Sequence, residues 1–204
     1  MQLYYAPRTI SVAVAIALEE AELEYEAIKL DFAGGEQTKP AYKQINPKGR
    51  VPALVVDGGI LTETGALLDY IATVAPQTGL VPSDPIMAAR MREVMYYLAS
   101  TMHVNHAHKM RGERWADKKS SWKDMQSKVA QTMTASCDYI CSNGLRGPFV
   151  LGDEVSLADV YLYVVCSWLE GDGVDVAAFP KIIAFREAME ARASVQTVRA
   201  AGML

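Results

Sequence analysis

The sequence predicts an α/β domain followed by an all-helical one. Two observations carry that prediction: residues 1–80 alternate strand-like and helix-like patterns, whereas nearly everything after Pro85 has helical period. A third is the stretch holding Pro76, Gly79, Pro82 and Pro85, which lacks periodicity. It divides the chain into a first domain at 1–78, a linker at 79–85 and a second domain at 86–204.

Gln2-Leu3-Tyr4-Tyr5 is short, β-prone and stopped by Pro7, as a strand would be; the Ala/Val/Ile/Leu stretch that starts at Ser11 and reaches Glu19-Glu20 reads as a buried helix. Residues 25–30 form a second expected strand. Asn46-Pro47-Lys48-Gly49 is a turn signal ahead of a third strand opened by Pro52, and Asp57-Gly58-Gly59 is a hairpin turn into Ile60-Leu61. A helix over 64–74 follows. The order β-α-β-α-β-β-α needs a parallel pair from its βαβ opening and an antiparallel hairpin at its end, which gives a small mixed sheet flanked by helices, a thioredoxin-like arrangement. Beyond the linker, helices are expected at 86–111, 119–142, 156–168, 180–191 and 195–200.

Composition narrows the function. The chain has 204 residues, half apolar and 22% charged, within the range of folded globular proteins. Twenty Lys and Arg against 24 Asp and Glu leave a net charge of −4, so no overall basic field favours nucleic acid. The apolar run from Val12 to Leu18 falls short of the roughly 20 residues that span a bilayer, and a cytoplasmic protein without membrane attachment is expected. Three cysteines cannot all pair within one chain and are read as reduced, buried thiols.

Four segments carry a family resemblance: Leu3-Tyr4-Tyr5-Ala6-Pro7; Asn46-Pro47-Lys48-Gly49-Arg50-Val51-Pro52-Ala53-Leu54; Leu61-Thr62-Glu63-Thr64; and Gly152-Asp153-Glu154-Val155-Ser156-Leu157-Ala158-Asp159. In this order and spacing they resemble the cytosolic glutathione transferases, most closely their bacterial beta-like branch, across essentially the whole chain. The resemblance implies a thioredoxin-like domain that binds glutathione, a helical domain that holds a small hydrophobic electrophile, and a homodimer with a partly shared site. Glutathione would be a co-substrate, with no other cofactor and no metal, and the activity would be conjugation in detoxification. Peroxide reduction, isomerisation of an activated double bond, and non-catalytic binding or regulation are the alternatives.

Site residues follow from the same resemblance. Val51-Pro52 takes the place of the family's cis-proline loop, where the main chain of Val51 would pair with the cysteinyl unit of glutathione. Glu63 would accept from the γ-glutamyl ammonium, while Thr64 and the N–H groups of its helix start would donate to the adjacent carboxylate. Arg50 would reach the glycyl carboxylate or face solvent. A thiol ionises near pH 8.5 unless its site lowers that value. Ser11, at the start of the first helix, is the expected hydroxyl donor to the sulfur, with Tyr5 ranked second and Thr9 a further hydroxyl within reach. Ile10 stands where beta-like relatives carry a cysteine, so no mixed disulfide with glutathione can form there. His103 falls where beta-like members keep a His that polarises the second substrate, and Ser100 occupies a neighbouring glutathione contact. The basic stretch 109–119 reads as a solvated loop, and Ser156 with Asp159 as a structural helix cap.

Overall fold

Strand β1 (Gln2–Tyr5) lies inside a four-stranded sheet in the computed structural model, which describes residues 1–204. The order across the sheet is β2 (Glu26–Lys29), β1, β3 (Ala53–Val56), β4 (Gly59–Thr62). Helix α1 (Ser11–Glu20) makes the crossover that leaves β1 and β2 parallel, and the β1–β3 and β3–β4 pairs are antiparallel. The hairpin loop is Asp57-Gly58 alone: Gly59 already pairs with Val56, at a φ of 136° that favours glycine. Glu26 and Lys29 are exposed on edge strand β2, where charge discourages pairing with another chain.

Helix α1 is apolar on every side, and Ser11 to Leu18 are all buried. Helices α2 (Pro40–Ile45) and α3 (Thr64–Val74) complete the expected order, and α3 packs on α1. A further element on α1 comes from the far end of the chain. Residues Met189–Leu204 cluster with Met1–Ser83 as one compact unit, and Asp84–Ala188 form the other. Arg192 donates to both carboxylate oxygens of Glu20, at 2.5 and 2.7 Å, and the Ser194 hydroxyl donates to Glu20 at 2.6 Å. The composition boundary near Pro85 contains no trace of this return.

In the second unit α4 (Pro85–Tyr97) passes through a π-helical turn at Leu98–Met102 into α5 (His103–Ala107), so the rod expected over 86–111 holds a widened turn and stops at Ala107. Helix α6 (Lys119–Tyr139) ends in a second π turn at Ile140–Gly144. Helix α7 (Leu157–Cys166) is buried at every position and packs on α4. Asp159, itself without exposed surface, caps α7: its carboxylate accepts from the N–H and hydroxyl of Ser156 at 2.8 and 2.7 Å and from the N–H of Val150 at 2.7 Å. Burial nevertheless pushes that carboxyl up to about 6. Helix α8 (Pro180–Glu190) leads to α9 (Ala193–Ala200). No helix is long and apolar enough to cross a membrane. Cys137 and Cys166 have no exposed surface and burial holds both thiols up, that of Cys137 at about 12, which keeps them protonated.

Candidate functional site

Tyr4, Ala53 and Thr62 are level across β1, β3 and β4. The chain leaves β1 toward Ala6, enters β3 from Val51 and leaves β4 toward Thr64, all at this one end of the sheet. Neighbouring strands lie about 4.8 Å apart, so segments far apart in sequence meet there. The cis-proline loop is flanked by the loop into α1 on one side and the start of α3 on the other.

The middle segment is held from behind. Asn46, 1% exposed, donates from Nδ2 to the Arg50 carbonyl at 2.6 Å and accepts the Lys48 N–H at Oδ1. The Tyr42 hydroxyl donates to the same Arg50 carbonyl at 2.7 Å, and burial pushes its phenol up to about 12, so it stays a donor at neutral pH. Gly49, at φ 61°, passes so close to Gln37 that a Cβ would stand 3.0 Å from its carbonyl oxygen. The Val51–Pro52 bond is cis. Val51 is half-buried, and its main chain takes part in no ladder pair or turn hydrogen bond. The Arg50 side chain is exposed.

Glu63 has a φ of 77°, uncommon for a residue with a side chain, and precedes an α3 whose first turn has no side-chain cap. The Leu67 N–H is the first to bond within the helix, to the Glu63 carbonyl, so those of Thr64, Gly65 and Ala66 remain open to an anion. Thr64 is 7% exposed, and a Cβ at Gly65 would meet empty space. The Glu63 carboxylate pairs with Lys48, which also donates to the Thr62 hydroxyl at 2.7 Å. Lys48 was read only as part of a turn, because the hairpin that returns Glu63 to it is a tertiary feature.

On the opposite flank the hydroxyls of residues 9 and 11 form a chain. Ser11 Oγ accepts the Ala6 N–H at 3.1 Å and lies 2.7 Å from Thr9 Oγ1, which lies 2.8 Å from the Ala6 carbonyl. Ser11 Oγ is 3.2 Å from that carbonyl, long for a hydroxyl donor, so its proton is better directed at Thr9. Ser11 has no exposed surface, and the direct contact with a bound thiol expected of it is not open to it; Thr9 is half-exposed. Tyr5 is 6% exposed and shares the core-facing side of β1 with Leu3. A cavity of 480 Å³ begins at Ala6 and Pro7 and is walled by Leu30, Asp31 and Phe32. The larger hollow of 710 Å³, at Met1, Glu22 and Tyr25, contains none of these site residues.

His103 and Ser100 belong to the helical unit. Ser100 is exposed in the π turn, with its hydroxyl 3.4 Å from that of Thr101. The His103 ring, half-buried at the start of α5, lies 5.1 Å from that of Trp168. The same indole stacks on His106 at 4.1 Å, and His106 is bonded to the buried Asp172. No motif surrounds Asp172, so sequence reading passed over it. No group of three or more His, Cys, Asp or Glu residues is placed to hold a metal ion.

A mixed four-stranded sheet, a cis-proline at its end, an open helix start beside it and a helical second unit define a class of protein. Family models described as the N-terminal and C-terminal domains of glutathione S-transferase match residues 1–73 and 102–201, and the chain belongs to the glutathione S-transferase family. Among solved structures, a glutathione transferase homologue from Sulfitobacter with bound glutathione is 63% identical, with a TM-score of 0.98 over 100% of this chain and 98% of that one. Maleylacetoacetate isomerase of Pseudomonas aeruginosa is 34% identical, covering 89% of this chain and 87% of its own. Glutathione S-transferase GstA of Escherichia coli O157:H7 is 27% identical over 96% of each.

Proposed function

We propose that the protein is a glutathione transferase that ionises the thiol of glutathione and joins it to a hydrophobic electrophile. One observation carries this reading: Tyr4, Ala53 and Thr62 are level across the sheet, so the loop that holds Thr9, the open main chain of Val51 and the uncapped start of α3 all adjoin one end of it. An extended acidic tripeptide needs all three. In this reading the Val51 main chain pairs with the cysteinyl unit, the open N–H groups of α3 and the Thr64 hydroxyl take the γ-glutamyl carboxylate, and Glu63 exchanges Lys48 for the ligand ammonium. Arg50 faces the glycyl carboxylate. Thr9, rather than Ser11, donates to the sulfur: Ser11 sends its proton to Thr9 Oγ1, which frees the Thr9 proton to turn from the Ala6 carbonyl to a thiolate. The N-terminal end of α1 adds a favourable dipole. His103 polarises the second substrate. A homodimer in the cytoplasm, acting in detoxification, belongs to the same reading.

Isomerisation of an activated double bond is the second reading, favoured by the likeness to the Pseudomonas aeruginosa isomerase. It uses the same thiolate. Calorimetry with glutathione tests the site, and assays with 1-chloro-2,4-dinitrobenzene and with maleylacetoacetate separate the reactions. Absence of glutathione binding would contradict both readings.

A further inference from the structure

The segment after α9 turns back onto the loop that joins β1 to α1, and both belong to the same compact unit. Helix α9 ends in a Schellman turn: the Gly202 N–H donates to the Arg199 carbonyl at 2.9 Å and the Met203 N–H to the Val198 carbonyl at 3.2 Å. Gly202 has the left-handed backbone that this ending needs, at φ 70°, and Met203 beyond it is 3% exposed. The Met203 carbonyl then accepts the Arg8 N–H at 2.8 Å. Arg8 is itself left-handed, at φ 58°, third in a turn from Ala6 to Thr9 that closes with the Thr9 N–H on the Ala6 carbonyl at 3.4 Å. Pro7 suits the second place of such a turn, but the third place favours glycine or asparagine. An arginine there is held against its own preference, and that state persists only where the surrounding structure fixes it. The bond from Met203 is such a constraint, and it enters one residue before Thr9. Helix α9 is thus pinned at both ends of α1, by Arg192 and Ser194 on Glu20 and by Met203 on Arg8.

We propose that Met203 is a positioning residue for thiol activation: through the Arg8 N–H its carbonyl holds the Ala6–Thr9 turn, and the turn aims the Thr9 hydroxyl at the glutathione sulfur. The inference rests on the glutathione-dependent reading above, in which Thr9 is the donor. Thr9 Oγ1 reaches the Ala6 carbonyl at 2.8 Å and Ser11 Oγ takes the Ala6 N–H at 3.1 Å, so both hydroxyls hang on the residue that opens this turn. Without the latch, Arg8 relaxes toward the negative φ that a side chain favours, and the peptide planes on either side of it rotate. That moves Thr9. It leaves Val51, Glu63 and Thr64 in place, since they sit at the starts of β3 and α3 and share no bond with the turn. The latch therefore acts on the ionisation of the sulfur and not on the grip on the tripeptide.

Gly202 offers a way to release the latch without touching the site, because a Cβ there would meet empty space. Gly202→Val opposes the left-handed backbone, and Gly202→Asn keeps it. On the full chain, amide hydrogen exchange at Arg8 should be slow in wild type and in Gly202→Asn, and about tenfold faster in Gly202→Val. Ultraviolet titration should find the thiol pKa of bound glutathione well below about 8.5 in wild type and Gly202→Asn, and moved back toward it in Gly202→Val. With 1-chloro-2,4-dinitrobenzene at neutral pH, kcat should fall about threefold or more in Gly202→Val while KM for glutathione stays within about twofold, a split that a general loss of folding would not give. An Arg8 amide that exchanges freely in wild type, which needs no variant to fold, would overturn the proposal. So would protection that survives Gly202→Val, or faster exchange there with an unchanged thiol pKa. Failure of wild type to bind glutathione in calorimetry would instead remove the reading beneath it.

Discussion

The hydroxyls of Thr9 and Ser11 stand 2.7 Å apart, and only that of Thr9 belongs to a residue with exposed surface. In the proposed reading Ser11 is therefore the support and Thr9 the contact. Ser11→Ala leaves the Ala6 N–H buried without its acceptor, which costs about 1–3 kcal/mol. Chemical denaturation should show that loss. The fall in kcat/KM for glutathione should be smaller in Ser11→Ala than in Thr9→Ala, and the reverse order would assign the contact to Ser11.

In the proposed reading Glu63 and Thr64 serve binding and not folding. Glu63 is exposed and pairs only with Lys48 and, through that ammonium, Thr62. Glu63→Gln and Thr64→Ala should each weaken glutathione binding roughly ten- to a hundredfold in calorimetry, the loss of one charge-assisted hydrogen bond worth about 1.5–3 kcal/mol. Melting temperatures should stay close to wild type. A large drop in melting temperature with unchanged affinity would give the pair a structural role.

Asp159 predicts a pH dependence of stability. Burial raises its folded-state value to about 6, above the ordinary 3.8. Between those values the folded state binds more protons than the unfolded one, so the stability Asp159 contributes is present in full below pH 4 and is lost as pH rises through 6. The difference in unfolding free energy between wild type and Asp159→Asn should shrink by about 2–3 kcal/mol over that window. A difference that stays flat would mean the three donors hold the carboxylate ionised throughout.

Arg192 and Glu20 tie α9 to the end of α1. Burial alone would raise the Glu20 carboxyl, but the bonds from Arg192 and Ser194 outweigh it and hold the group below its usual range. Stability from this pair is thus present above the unfolded value of about 4.3 and lost as pH falls through the lower folded one. Arg192→Met strands a nearly covered carboxylate and should cost about 1.5–3 kcal/mol at pH 7. Denaturation that matches wild type would show the clamp to be slack.

The order of elements in the first unit, the hairpin and the helices of the second unit were legible because each is written in local period and turn chemistry: Pro7 ends β1, Asp57-Gly58 turns the hairpin, and Ser156 with Asp159 starts α7. Glu63 and Thr64 were legible as a pair, since a helix start shows in sequence. Other features were not. The Leu98–Met102 π turn leaves apolar spacing unchanged to the eye, the Lys48–Glu63 pair depends on two turns closing together, and the His106–Asp172 bond spans 66 residues. Ser11 and Thr9 exchange roles in the proposed reading because burial, which separates two hydroxyls two residues apart, is fixed by packing and not by their identity.

The most direct test is ultraviolet titration of bound glutathione thiolate in wild type, Thr9→Ala, Thr9→Ser and Ser11→Ala. A thiol pKa well below about 8.5 in wild type, restored toward it in Thr9→Ala and kept low in Thr9→Ser, is the expected result. Glutathione that binds with an unshifted pKa in wild type, or a lowered pKa that survives Thr9→Ala, would contradict it.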